Sequence, residues 1–167
     1  MEGEAARGVT CVGCAGTCCT FVANSMQITA LEALDVWTAL TASMAAPDVA
    51  SLKEALAQSA RDQGLDRPAA GDGKRSFSRR RYTCPLFQGR ELGCPLPATA
   101  KPYGCLAFNP VKDGAKATDC ASGPGLLERR AAESATTEAK LLDQLSGLGA
   151  SRELKAIPVA LLEVAAL

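Results

Sequence analysis

Cys11, Cys14, Cys18 and Cys19 fall within nine residues, Cys11-Val-Gly-Cys14-Ala-Gly-Thr-Cys18-Cys19, and four more cysteines follow at Cys84, Cys94, Cys105 and Cys120. Two residues between cysteines let one tight turn aim both sulfurs at one ion, the arrangement of thiolate metal sites. Gly13 and Gly16 permit the positive φ values that such turns need. The chain has no histidine, so a transition-metal centre must be made of thiolates, helped at most by carboxylates. An isolated CxxC is common, whereas four cysteines in nine residues with four more downstream point to metal chemistry.

Eight thiolates can form two four-coordinate sites, or one multinuclear centre with cysteines left over. Adjacent side chains such as Cys18 and Cys19 leave the backbone in different directions. They are more readily shared between neighbouring ions, or split into one ligand and one core thiol, than chelated to a single tetrahedral ion. Zinc held by thiolates and an iron-sulfur cluster both carry negative charge that cations or backbone N–H groups must offset. Lys101 and the arginines before Cys84 are the candidates for that role. All-thiolate donor sets suit Zn2+ and iron-sulfur alike.

The segment around the first four cysteines has the form CxxCxxxCC and resembles the YkgJ-like cysteine-cluster family, described as a zinc- or iron-chelating domain. The second half extends the resemblance. That family follows its cluster with a helical stretch, a cysteine before a short hydrophobic turn, a second cysteine, and an Arg-Pro pair ahead of a third cysteine with an aromatic behind it. The matching residues are Cys84-Pro85-Leu86-Phe87, Cys94, and Lys101-Pro102-Tyr103-Gly104-Cys105 with Phe108 after it, so the resemblance spans roughly residues 9 to 110. Lys101 stands where the family usually has Arg, Leu96-Pro97 replaces an Ile-Tyr pair, and the gap from Cys94 to Cys105 is one residue longer. A lysine offers a compact point charge in place of a bidentate guanidinium. The cysteine cluster of flagellin lysine methylases, which resembles this one, is associated with an iron-sulfur centre, and that tips the balance towards iron-sulfur. Cys120 lies beyond the resemblance and is included as a ligand on the parity of the eight and its nearness to the others.

Composition bounds the alternatives. With 167 residues and 47% hydrophobic side chains, a small single domain over residues 1–167 is expected. Aromatic residues are only 4%, so Ala, Leu and Val must build the core, and each releases less apolar surface than Phe or Trp. Eighteen basic and eighteen acidic side chains cancel, which removes any global electrostatic case for nucleic acid or an anionic membrane. The acidic start Met1-Glu2-Gly3-Glu4 is unlike a secretory signal, and no apolar run approaches the ~20 residues needed to span a bilayer. The expectation is a cytoplasmic protein, where thiols stay reduced and serve as ligands rather than disulfides.

The elements that must position the cysteines are helical. Thr29 and Glu32 have capping-box spacing, and Leu31, Leu34, Trp37, Leu40 and Met44 recur at helical steps. Pro47-Asp48 is expected to end that helix. A second helix runs from Asp48 or Val49 to about Gln63, with Val49, Leu52 and Leu56 inward and Gly64 as its C-cap. Residues 65 to 83 hold Lys74, Arg75, Arg79, Arg80 and Arg81 and read as an exposed loop, a solvated strip rather than a phosphate-binding one. Five prolines and four glycines between Cys84 and Cys120 favour turns over long helices. Helical spacing returns from Leu126 to Leu145, and a last short helix starts at Pro158.

The resulting expectation is a mainly α domain with irregular, cysteine-rich, metal-organised loops. Its metal-binding region covers residues 9–120 with a helical insert at 28–64, and its C-terminal helices cover 124–167. The two cysteine sets meet in space, with the insert helices to one side. The function expected first is a chelating or structural module whose partner is a metal ion, with a protein partner as a further possibility. An iron-sulfur redox or methyl-transfer-associated enzyme component is the alternative. No nucleotide loop, GxGxxG after a strand, or histidine for acid-base work supports an independent enzyme.

Overall fold

The computed structural model describes residues 11, 13–67, 80–107 and 124–167. Cys120, the basic residues Lys74, Arg75 and Arg79, and the aromatics Phe77 and Phe108 lie outside the described residues. Among the described residues the architecture is mainly helical, with one two-stranded sheet. Its helices are α1 (Ala30–Thr41), α2 (Ala46–Asp62), α3 (Tyr103–Ala107), α4 (Pro124–Gly147) and α5 (Ile157–Val164), and its strands are β1 (Gln27–Ile28) and β2 (Lys155–Ala156). Among the described residues, no helix is long and apolar enough to cross a membrane.

The start of α1 follows the capping box. The Thr29 hydroxyl accepts from Glu32 N at 3.1 Å, and the Glu32 carboxylate accepts from Thr29 N at 2.9 Å, so two otherwise orphaned donors are satisfied reciprocally. The end differs from expectation: α1 stops at Thr41, and Pro47 lies in the first turn of α2. A proline there loses no helical hydrogen bond and its fixed φ suits the turn, so Pro47 starts the second helix rather than ending the first. Met44 consequently falls in the connection and is exposed. The expected stripe of Leu31, Leu34, Trp37 and Leu40 packs only partly buried on the flanks of the core. Ala33 and Val36 are the fully covered residues, because small side chains let α1 approach α5 closely.

In α2, Leu56 and Ala60 face inward and Gly64 closes the helix, with Leu65 N donating to Ala60 O at 2.8 Å. The last helix begins as expected with Pro158 in its first turn and buries Ile157, Ala160, Leu161 and Val164. It packs against both α1 and α2, while α4 packs against α1 and α3.

The two-residue strands were not legible as a pattern. They pair antiparallel, Gln27 opposite Ala156 and Ile28 opposite Lys155, and tie the approach to α1 to the approach to α5. Beneath this ribbon lies Tyr82, 1% exposed. Its hydroxyl donates to Met26 O at 2.7 Å and accepts from Ile157 N at 3.0 Å. Burial holds this phenol above its ordinary pKa, so it remains a neutral donor. Tyr82 stands two residues before Cys84, which couples the helical layer directly to the cysteine-bearing loops.

Candidate metal centre

The first cysteine set is carried by two tight turns. Gly13 (φ 77°) and Gly16 (φ 71°) both take the left-handed conformation expected of them. Gly16 has a second reason to be glycine: a Cβ there would overlap the ring of Phe87. The first turn closes through Cys14 N donating to Cys11 O at 3.3 Å. It is clamped from outside, because Gly13 N donates to Arg90 O at 2.9 Å and Arg90 Nε donates to Gly13 O at 3.2 Å. The second turn, Thr17–Cys19, is a single 3₁₀ turn closed by Cys19 N donating to Gly16 O at 2.8 Å.

The second set is laid against the first by the backbone. Cys84 N donates to Cys19 O at 2.7 Å, which joins two cysteines 65 residues apart in the sequence. A turn from Gln88 to Gly93, closed by Gln88 N donating to Gly93 O at 2.8 Å, then delivers Cys94. Cys105 sits on α3, whose first residue is anchored to the cap of α1: Tyr103 N donates to Glu32 Oε1 at 3.1 Å. Glu32 is thus more than a helix cap. It is buried, and it fixes the segment that carries Lys101 and Cys105.

Seven of the eight predicted site residues, Cys11, Cys14, Cys18, Cys19, Cys84, Cys94 and Cys105, line one cavity; Cys120 is outside the described residues. The remaining lining is almost entirely apolar, with Val36, Leu86, Leu96 and Ile157 behind the thiols. Asn24 and Lys101 are the polar side chains among it, and sequence reasoning passed over Asn24, whose type carries no motif. All seven cysteines are free thiols. Cys18 and Cys19 both line the cavity, with their sulfurs 4.0 Å apart, and Cys19 also packs against the hydrophobic core. Two sulfurs on one tetrahedral zinc, with bonds of about 2.3 Å, stand ~3.8 Å apart.

The charges follow from burial. Burial pushes Cys84 up to about 12 and raises Cys105 well above the ordinary thiol value, and neighbouring thiolates reinforce both shifts. Cys11 is raised by burial, against the opposing pull of Lys101. Cys18 and Cys19 share a hydrogen bond, so Cys18 is held down and its neighbour is driven up. Lys101 is 6% exposed, with its Nζ 3.2 Å from Cys11 Sγ. Burial acts to strip its charge, yet the surrounding Cys94 and Cys11 sulfurs outweigh it and the ammonium is retained. Gly16 N also points at Cys14 Sγ, at 3.4 Å. A cation, a backbone N–H and an apolar wall are the groups that stabilise clustered thiolates.

Donor type and proximity fit a thiolate metal centre, but the sulfurs do not form a finished coordination shell. As the side chains stand, no three of the cysteine, aspartate or glutamate groups among the described residues are arranged to hold one ion. The free space between the thiols is about 30 Å³, room for about two or three water-sized bodies. The other cavity of note is a polar hollow of about 420 Å³ beside β1 and β2, with no cysteine in its lining. Compared with family models, curated proteins and solved structures, the chain matches none. Its resemblance to the YkgJ-like cysteine-cluster family therefore rests on the motif residues themselves.

Proposed function

We propose that this chain is a metal-binding module of the YkgJ-like kind, whose clustered thiolates hold zinc or an iron-sulfur centre in the cavity between the two cysteine sets. One observation carries the reading: cysteines as far apart in sequence as Cys11 and Cys105 line the same apolar cavity, with the buried Lys101 ammonium among them. A core built only for packing gains nothing from seven thiols and a lysine at that spot, since burying an ammonium is costly unless opposite charge is present. Seven thiols also exceed the four that one tetrahedral ion takes. The centre is accordingly polynuclear, or a single site with several thiols in reserve, and its role is to chelate and to organise the surrounding turns.

The test is to isolate the chain without oxygen, record its visible spectrum, and measure zinc, iron and acid-labile sulfide. Broad visible absorption with iron and sulfide identifies an iron-sulfur centre, and a colourless protein carrying zinc identifies the other. Cys14→Ser and Cys105→Ser, one from each set, should both lower metal content. A protein that holds neither metal and keeps every thiol freely titratable would overturn the reading.

A further inference from the structure

Asn24 has a donor with no task in the protein as it stands. The residue is 3% exposed, lines the cysteine cavity, and its Nδ2 is buried without a hydrogen-bond partner. Its orientation is set by its neighbours. Met26 N donates to Oδ1 at 2.9 Å, and only the carbonyl end of the amide can accept, so the NH2 group is turned the other way. The backbone is tied as well: Asn24 N donates to Thr20 O at 2.8 Å, and Asn24 O accepts from Tyr82 N at 3.0 Å. The Tyr82 hydroxyl, which the amide approaches, donates to Met26 O and accepts from Ile157 N, and Nδ2 does not reach hydrogen-bond geometry with its remaining lone pair. Buried side-chain donors are nearly always paired, so an amide held this firmly with its donor unused calls for a partner that binds in the cavity.

Apart from Lys101, the other groups lining that cavity are thiols and apolar side chains. We propose, on the basis of the thiolate-held metal centre above, that Asn24 is a positioning residue for it: Nδ2 donates a hydrogen bond to a sulfur of the bound centre, thiolate or bridging sulfide. Asn24 stands five residues after Cys19, beyond the turn that Thr20 opens, while Lys101 donates to Cys11 from a separate segment. The centre's negative charge is then met by a neutral donor and a cation from different parts of the chain. Donation to sulfur withdraws electron density from it, which slows metal loss and moves sulfur-to-metal charge transfer to higher energy.

The experiment compares the full-length wild-type chain with Asn24→Asp and Asn24→Ala. Each is loaded with zinc(II), or with iron(II) and sulfide, whichever the wild type retains, and cobalt(II) replaces zinc for spectra. Aspartate keeps an oxygen for Met26 N but has no donor, and alanine removes both groups without adding charge. Both variants should release metal to a chromogenic chelator about 10–100-fold faster than wild type, and their charge-transfer bands should move to lower energy. An Asn24→Asp protein that behaves as wild type would mean that only the acceptor matters, and the proposal fails. It fails equally if Asn24→Ala behaves as wild type, since any loss in the aspartate variant is then an effect of added charge. A wild type that holds metal alongside two unchanged variants overturns the role of Asn24 alone, whereas a wild type that takes up no metal overturns the metal centre with it.

Discussion

The helical layer and the cysteine-lined loops are held together in different ways. In the first, Ile28, Val36, Leu56 and Leu161 are fully covered, and most backbone groups are satisfied within α1, α2 and α5. In the second, from Cys84 to Ala107, α3 and one 3₁₀ turn are the regular elements; Cys84, Leu86 and Leu96 reach into the shared core, and the rest of the backbone is tied by single cross-links: Cys84 to Cys19, Gly13 to Arg90, Tyr103 to Glu32. Hydrophobic burial is non-directional and tolerates small errors of position, whereas isolated hydrogen bonds between turns contribute only about 0.5–1.5 kcal/mol each. The loop half therefore has little stability of its own, and a ligand bound among the thiols would supply what the backbone does not.

Four measurements break or sharpen that contrast. The largest effect is expected from stripping the proposed metal with a chelator under reducing conditions. A structural thiolate site contributes on the order of 10 kcal/mol, against a net domain stability of about 5–15 kcal/mol. Amide hydrogen exchange in residues 84–107 should accelerate first, while α1, α2 and α5 stay protected longer. Equal acceleration in both halves would show that they unfold as one unit.

Leu56→Ala acts on the opposite half. Leu56 is fully buried at the centre of the helical core, and its truncation should cost about 2–5 kcal/mol by loss of transfer energy and a residual cavity. Denaturant melts should show that loss with metal stoichiometry unchanged. A matching fall in bound metal would erase the distinction between the halves.

Tyr82→Phe probes the seam. Its hydroxyl serves Met26 O and Ile157 N at once, and its removal leaves two buried backbone groups unpaired, costing about 1–3 kcal/mol. Because Tyr82 precedes Cys84 by two residues, thermal stability and the rate of metal release should change together. A change in stability alone would place the residue wholly in the helical layer.

The smallest effect is expected at Glu163, which accepts from Ser151 N and pairs with Lys155 beside β2. Burial alone would raise its pKa, but the Lys155 ammonium and the Ser151 amide outweigh this and hold the carboxyl below its ordinary value. Its contribution is thus fully present above the unfolded value of about 4.3 and is lost as pH falls through the lower folded value. Glu163→Gln should cost up to about 1 kcal/mol at neutral pH, and melts of the two proteins should converge in acid. A difference that persists at low pH would assign the effect to packing.

Local chemistry was legible in the sequence wherever one turn of chain contains the whole interaction. The capping box of Thr29 and Glu32, the closing glycine at residue 64, the proline-led start of the last helix and the left-handed glycines of the CxxC segment all depend on residues a few positions apart. The first cysteine set was legible for the same reason, since Cys11, Cys14, Cys18 and Cys19 lie within nine residues. Tertiary structure decided the rest. The faces of α1 that vanish from solvent, the place of Pro47 in the second helix, the two-residue ribbon, the second task of Glu32, the Lys101 contact with Cys11 and the idle donor of Asn24 all depend on partners far away in the chain. A side chain's type fixes what it can donate, accept or bury, and neighbours within a turn are implied by the sequence itself. Which distant group meets it is set by how the helices pack, and no pattern within a single segment encodes that meeting.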